Sequence, residues 1–176
     1  MVEAKLLNRN AVGVDINPQS VFISEKNIQF ESNSISKIFV RKGDARKLDF
    51  IKNEKIDLIC THPPYADIIK YSKNIEGDIS NLKTEEFINA MEQVAKECFR
   101  VLKPEKICAV MMGDIRKNGK VIPLGFKIME TFLNVGFQMK EIIIKEQYNC
   151  KSTEYWKNRN NNFLLLAHEY IFVFQK

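Results

Sequence analysis

Hydrophobic positions along the chain follow two different periods, and the two alternate. Short apolar runs typical of buried strands are separated by stretches in which apolar residues recur every three to four positions, as on one face of a helix. The clearest helix begins near Thr84, a plausible N-cap, and ends before Lys103-Pro104. The clearest strands are Ile56–Thr61 and Ile107–Met112, which are nearly continuous apolar runs of the kind found in strands covered on both faces.

The full pattern predicts alternating helices and strands. The first half of the chain is predicted to contain the end of a helix at Val2–Leu7, a strand at Ala11–Ile16, a helix to about Ile28, a strand at Lys37–Arg41, a short helix and the strand Ile56–Thr61. The second half is predicted to contain the helix from Thr84 to Leu102, the strand Ile107–Met112, a helix from Pro123 to Asn134 that stops at Gly136, and strands at Ile142–Ile144 and Leu164–Phe174. This order predicts an α/β fold with a mostly parallel sheet and an antiparallel C-terminal edge. Without a repeat or linker, residues 1–176 are expected to form a single domain.

The most informative motif is Thr61-His62-Pro63-Pro64-Tyr65, which directly follows a predicted buried strand. Two prolines cannot continue a sheet ladder, so the chain must leave the strand in a stiff turn. Ligands of open α/β sheets bind outside the carboxyl ends of strands, where this turn falls. The side chain of His62 and the carbonyl of Pro63 could accept the hydrogens of a nucleobase amine, and Tyr65 could offer a face to an unstacked base. The alternative is that the motif merely ends a strand.

Acidic residues follow the two preceding predicted strands. Asp15 could bind the ribose hydroxyls of a nucleotide, or it could cap the helix that begins after Asn17. Asp44, which precedes Ala45, could accept an adenine amino group, or it could bond to its own backbone in a turn. Three successive strands that end in polar residues at one edge of a sheet favour a cofactor that carries a nucleoside.

Composition narrows the possible classes of protein only slightly. The chain has 176 residues, 45% of them hydrophobic, and a net charge of +5, which permits contact with nucleic acid without requiring it. It has no 18-residue apolar run and no signal peptide pattern, so we expect a soluble, cytoplasmic protein that does not bind membranes. Its widely spaced cysteines are expected to be reduced core residues rather than metal ligands: Cys60, Cys98, Cys108 and Cys150.

The motifs together resemble the S-adenosylmethionine-dependent amino-methyltransferases of DNA, the N6-adenine and N4-cytosine class, which share an Asp/Asn/Ser-Pro-Pro-Tyr signature. The resemblance extends over nearly the whole chain, through the segments Val12–Pro18, Gly43–Ala45, Thr61–Tyr65, Arg100–Pro104, Gly113–Arg116 and Ile122–Phe126. It implies a Rossmann-like methyltransferase sheet, S-adenosylmethionine as cofactor, and methyl transfer to adenine N6 or cytosine N4 in DNA. It also implies site residues: Asp15, Asn17, Asp44 and Ala45 for the cofactor, and His62, Pro63, Pro64 and Tyr65 for catalysis.

His62 is the first departure from the family pattern. A neutral imidazole accepts one hydrogen bond, whereas an imidazolium accepts none. Free histidine titrates near pH 6.5, so activity that relies on His62 is expected to fall in mild acid. The departure leaves adenine and cytosine both open as targets.

The second departure is the absence of the family's first strand and glycine-rich loop, which would precede Val2. In the expected sheet that strand lies between the strands ending at Asp15 and at Thr61, so both would keep unpaired backbone groups. We therefore expect a fragment, a mis-started reading frame, or one half of a split enzyme whose partner chain supplies the strand and loop. Two other functions stay open: methylation of a guanine amine in tRNA, and a non-catalytic remnant or partner subunit.

A polar segment near the C-terminus could contact nucleic acid. Between Tyr148 and Asn162 it carries basic residues among aromatic ones, a mixture that suits phosphates and unstacked bases. The candidate contacts are Lys151, Tyr155, Trp156, Lys157 and Arg159. The alternative is a solvated loop between two edge strands. His168, beside Glu169 in the last strand, is expected to be structural.

Overall fold

The computed structural model describes residues 1–66, 72, 75–148 and 164–176. Its helices are α1 (Val2–Leu6), α2 (Pro18–Asn27), α3 (Thr84–Val101) and α4 (Leu124–Val135), with a 3-10 turn at Ile79–Asn81. Its strands are β1 (Ala11–Asp15), β2 (Ile38–Lys42), β3 (Ile56–Thr61), β4 (Leu102–Met112), β5 (Ile115–Lys117), β6 (Lys120–Ile122), β7 (Gln138–Glu146) and β8 (His168–Gln175). In these ranges, no helix is long and apolar enough to cross a membrane.

The strands form three groups. β1 and β2 pair in parallel, β3, β4, β8 and β7 form a four-stranded sheet in that order, and β5 and β6 form a hairpin. In the larger sheet β3 and β4 are parallel, whereas β8 is antiparallel to both β4 and β7. The predicted α/β fold with an antiparallel C-terminal edge is confirmed. Among the described strands, β1 pairs with β2 alone and β3 pairs with β4 alone. Both β1 and β3 are therefore edge strands.

The core lies between the larger sheet and helices α3 and α4. Apolar residues of α3 recur at helical spacing and are buried on one face: Phe87, Ala90, Met91, Val94, Ala95, Cys98 and Val101. From α4, the ring of Phe132 stacks on Phe174 of β8 with centroids 5.1 Å apart. Gly136 ends α4 with a φ of 117°, a left-handed conformation that glycine adopts without strain.

Several details differ from the sequence-based expectation. The short helix predicted between β2 and β3 is wrong, because residues 43–55 form turns that side chains of α3 hold in place. Thr84 is the first residue of α3 rather than its N-cap, which is Lys83. The β5–β6 hairpin was not predicted, since its strands of three residues are too short for a periodic signal.

The cysteines divide between buried and exposed positions. Cys98 and Cys108 are buried, as predicted. Cys60 is exposed, so the expectation that it belongs to the core is wrong. Its strand, β3, lies at the edge of the larger sheet, where the described residues leave one side of the strand uncovered. Cys150 lies outside the described residues.

Candidate active site

The carboxyl ends of β1, β2 and β3 meet at one cleft of about 390 Å³, a volume within the range of small-molecule sites. The predicted site residues among its lining are Asp15, Asn17, Asp44, Ala45, His62, Pro63 and Pro64. The opposite wall comes from Gly77 to Ile79 and from Met91 and Val94 of α3. Three strand ends that are distant in the chain are therefore brought together, as the sequence predicts.

Asp15 and Asn17 share the turn between β1 and α2. Oδ1 of Asp15 accepts a hydrogen bond from the backbone N–H of Asn17 at 2.8 Å. Oδ1 of Asn17 accepts one from the N–H of Gln19 at 2.9 Å, so Asn17, and not Asp15, caps the helix. Asp15 is exposed, and among the described residues its Oδ2 has no hydrogen-bond partner. That oxygen can accept a hydrogen bond from a hydroxyl group in the cleft.

Arg46, to which no sequence pattern points, forms hydrogen bonds with Asp44. Nε of Arg46 lies 3.0 Å from each carboxylate oxygen, and Nη2 lies 2.6 Å from Oδ2. Burial acts to raise the pKa of Asp44, but the hydrogen bonds and charge of Arg46 outweigh it and lower that pKa below its ordinary value. Nη2 also donates to the carbonyl of Gly77 at 3.0 Å, so Arg46 joins the β2 end of the cleft to the segment opposite.

The Pro-Pro turn distributes its side chains between two environments. His62, with 44% of its side chain exposed, and buried Pro63 line the cleft. Tyr65 does not line it. Its hydroxyl donates to Oε1 of Glu169 at 2.6 Å and accepts from the N–H of Gly113 at 2.9 Å. The rings of His62 and Tyr65 meet edge to face with centroids 6.0 Å apart, so Tyr65 contacts a residue of the cleft lining.

Glu169, which has no predicted role in the site, contacts the Pro-Pro turn through Tyr65. It is 5% exposed, and its Oε2 accepts from Nζ of Lys145 at 2.6 Å. Burial acts to raise the pKa of Glu169, but hydrogen bonds from Lys145 and Tyr65 outweigh it and lower that pKa. One signal in the sequence points to Glu169, which is an acidic residue in an otherwise apolar strand. An acidic side chain is rarely buried unless it is paired.

The other predicted contacts lie elsewhere or outside the described ranges. The nucleic-acid candidates Lys151, Tyr155, Trp156, Lys157 and Arg159 are not among the described residues. Nε2 of His168 lies 3.0 Å from the Tyr170 hydroxyl, which gives this histidine a structural partner. In the part of the chain that the structure describes, no group of three or more acidic, histidine or cysteine side chains could hold a metal.

The fold is a mixed α/β fold with a cleft at the carboxyl ends of its strands, and the family follows from sequence comparison. The model of the N6/N4 DNA methylase family matches residues 56–176, more than half of the chain. The chain therefore belongs to this DNA methylase family.

A curated relative is the type II methyltransferase M.MjaI of Methanocaldococcus jannaschii, 30% identical over 163 residues that cover 76% of this chain and 54% of the relative. The chain thus spans about half the length of that relative. M.BslI of a Bacillus species, named a type II beta methyltransferase, is 27% identical, and the match covers 82% of this chain and 17% of that protein.

A solved structure with the same fold is that of a Thermus thermophilus protein named a putative DNA modification methylase, in complex with S-adenosyl-L-methionine. Its TM-score is 0.57 at 24% identity, and the match covers 76% of this chain and 53% of that one. The likeness shows that the described elements adopt the methyltransferase fold.

Proposed function

We propose that this chain carries the catalytic turn of an S-adenosylmethionine-dependent methyltransferase that modifies adenine N6 or cytosine N4 in DNA. The observation that carries the proposal is the meeting of Asp15, Asp44 and the His62-Pro63 turn in one cleft. Membership of the DNA methylase family and the names of its relatives favour DNA as the substrate class.

The cleft fits a cofactor that contains a nucleoside. Oδ2 of Asp15 is available to a ribose hydroxyl, and Asn17 lies beside it in the lining. Asp44 and Ala45 line the part of the cleft proposed for the adenine, where Ile16, Ile79 and Met91 also contribute apolar surface. S-adenosylmethionine, when bound, supplies a methyl group activated on a sulfonium.

Asp44 is already a hydrogen-bond acceptor for Arg46. Its carboxylate accepts from Nε and Nη2 of Arg46 and from the Arg46 backbone N–H at 2.9 Å. Nε has one hydrogen, which the two oxygens share, so three N–H groups occupy about three of the roughly four lone-pair directions of a carboxylate. We therefore infer that Asp44 accepts one hydrogen of the adenine amino group while Arg46 stays in contact with it.

The Pro-Pro turn prepares the target amine. The nitrogen of a nucleobase amine is a poor nucleophile because its lone pair is delocalised into the ring. Two acceptors, an imidazole nitrogen of His62 and the carbonyl of Pro63, would hold the amine hydrogens and orient its lone pair. Catalysis then rests on positioning rather than on a covalent intermediate. Pro64 keeps the turn rigid, and Tyr65 is proposed to contact the target base.

The edges of β1 and β3 are proposed to accept a further parallel strand from a complementing chain. Both are edge strands among the described residues, and the carboxyl ends of both line the same cleft. Leu58 of β3 is 58% exposed, which is unusual for an apolar residue in a strand next to a binding site. A strand paired with both would place its own carboxyl end, and any loop that follows, at the cleft.

Substrate DNA is proposed to contact Lys151, Tyr155, Trp156, Lys157 and Arg159. Cations beside aromatic rings can bind phosphates and unstacked bases together, which suits a reaction on a base removed from its duplex.

Radiolabelled methyl transfer tests the function. The chain, alone and with a peptide that supplies a strand and glycine-rich loop, is incubated with labelled S-adenosylmethionine and either duplex DNA or tRNA. Label recovered as N6-methyladenine or N4-methylcytosine supports the proposal. Label recovered in tRNA guanosine, or in neither nucleic acid under both conditions, contradicts it.

A further inference from the structure

A polar cluster centred on the buried carboxylate of Glu169 lies beside His62, and Glu169 and Tyr65 are outside the lining of the cleft. We define the Glu169 cluster by the groups around this carboxylate, which are His62, Tyr65, Gly113, Lys145 and the hydrogen-bonding side chain of Gln147. Glu169 is its centre, on strand β8 between β4 and β7, and its side chain is 7% exposed. A buried carboxylate costs free energy unless it is paired, so its partners define what the cluster does.

The two oxygens of Glu169 have different neighbours. Oε2 accepts from Nζ of Lys145 at 2.6 Å. Oε1 accepts from the Tyr65 hydroxyl at 2.6 Å and lies 3.6 Å from Nε2 of His62. The lowered pKa of Glu169 keeps this carboxylate ionised at neutral pH, so Nε2 faces a negative oxygen.

The distance from Nε2 to Oε1 is too long for a hydrogen bond but short enough to select a tautomer. A lone pair on Nε2 would point toward an anionic oxygen, which is repulsive. An N–H at the same place is attracted. A neutral imidazole has one N–H and one acceptor nitrogen, so a proton held on Nε2 leaves Nδ1 as its acceptor.

We propose that Glu169 is a positioning residue that holds the proton of neutral His62 on Nε2, so that Nδ1 is the acceptor offered to the substrate amine. The inference rests on the proposed function, in which His62 accepts a hydrogen from that amine. Glu169 also fixes Tyr65, because the Tyr65 hydroxyl is held between Oε1 and the N–H of Gly113. One buried carboxylate thereby orients both side chains of the Pro-Pro turn.

Nitrogen NMR of the histidine rings tests the tautomer without requiring activity. The sequence has two histidines, so a protein labelled with ¹⁵N-histidine gives a simple spectrum, and the variant His62→Asn assigns it by loss of one set of signals. At a pH well above the ordinary titration range of histidine, Nε2 of His62 is expected to resonate as a protonated nitrogen and Nδ1 as a deprotonated one. A proton found on Nδ1 in the wild-type protein overturns the inference.

Two variants separate the charge of Glu169 from its packing. Glu169→Gln keeps an acceptor for Tyr65 but removes the charge, so the two His62 resonances are expected to move toward each other as the tautomers mix. Glu141→Gln removes an exposed carboxylate of β7 that lies outside the cluster, and it is expected to leave the His62 tautomer unchanged. Unchanged His62 resonances in a folded Glu169→Gln protein overturn the inference. If that variant does not fold, the wild-type spectrum still decides.

Kinetics connect the tautomer to the reaction. Glu169→Gln is expected to lower kcat about 10- to 100-fold, with the KM for the cofactor changed less than about two-fold, because a misplaced acceptor affects the reacting geometry. The amide oxygen of asparagine is an acceptor that does not depend on a tautomer. Glu169→Gln should therefore lower kcat by a smaller factor in a His62→Asn background than in the wild-type protein. An equal loss in both backgrounds overturns the inference. Absence of any methyl transfer to DNA, with the proton found on Nε2, contradicts the proposed function instead.

Discussion

At the scale of single residues, the Pro-Pro turn could be located from sequence, but its supporting contacts could not. Two prolines after an apolar run force the chain out of the sheet, which places His62 and Pro63 at the cleft. The partner of Tyr65 lies 104 residues further along the chain, and no local pattern reveals such a pair. Arg46 was missed for a different reason, because a basic residue in a turn is usually solvated.

His62 gives a prediction on the amine acceptor. Replacing it by alanine is expected to lower methyl transfer about 100-fold, since one of the two amine acceptors is lost. His62→Asn should keep more activity than the alanine variant, because its amide oxygen supplies an acceptor. Initial rates of the three proteins check this, and equal losses in the alanine and asparagine variants would remove His62 from the acceptor role.

Gly113 gives a prediction on packing. A β-carbon at this position would lie 2.9 Å from the Tyr65 hydroxyl oxygen and 3.3 Å from Cγ of Glu169. Gly113→Ala is therefore expected to displace that hydroxyl and to lower the free energy of unfolding by about 1–3 kcal/mol. In a Tyr65→Phe background, which lacks the hydroxyl, Gly113→Ala should lower the free energy of unfolding by a smaller amount. Denaturant titrations of the four proteins measure the difference, and an equal cost in both backgrounds would show that the hydroxyl is not the obstacle.

At the scale of elements, side chains of α3 bind the turns that connect Asp44 to the strand before the Pro-Pro turn. Oε2 of Glu97 accepts from the N–H of Leu48 at 2.6 Å, and Arg100 donates to the carbonyls of Leu48 and Ile51 at 3.0 and 2.8 Å. Residues 43–55 carry the chain from Asp44 to β3, so this anchoring positions the cleft. The sequence pattern predicted a short helix there, because periodicity does not show that side chains of a distant helix satisfy the backbone of a turn.

Glu97→Gln tests this anchoring. Hydrogen bonds from Arg100 lower the pKa of Glu97 despite some opposing burial. A carboxylate with a lowered pKa contributes stability at neutral pH that is lost as pH falls through its folded-state pKa. The variant is therefore expected to lose about 1–3 kcal/mol at pH 7, with a smaller loss relative to wild type in strong acid.

A matched control is available on the same helix. Glu92 forms an exposed pair with Lys96 at 2.6 Å, and Glu92→Gln should change stability by less than about 1 kcal/mol. Denaturant unfolding at both pH values measures all three proteins. Equal losses for the two variants would mean that Glu97 does not anchor the turns.

At the scale of the whole molecule, the described strands form two main sheets where the fold class implies one. The alternation of the sequence predicts the order and type of most elements, and β1 and β3 are edge strands among the described residues, as the resemblance to the family implies. Pairing can be checked by hydrogen exchange on peptides spanning Ala11–Asp15 and Ile56–Thr61. Alternate amides of both strands are expected to exchange rapidly in the chain alone and to become protected when a complementing strand is added. Protection that is unchanged by any added strand would contradict strand completion.

Methyl transfer tests the central claim most directly, because the claim is that one cleft presents a methyl donor to a base amine held by the Pro-Pro turn. The measurement is nucleoside mass spectrometry of duplex DNA after incubation with labelled S-adenosylmethionine and the chain, wild type or His62→Ala, with and without the peptide that supplies a strand and glycine-rich loop. We predict label in N6-methyladenine or N4-methylcytosine with the wild-type protein, and about 100-fold less with the variant. Equal labelling by both proteins, or label in neither nucleoside, would contradict the account.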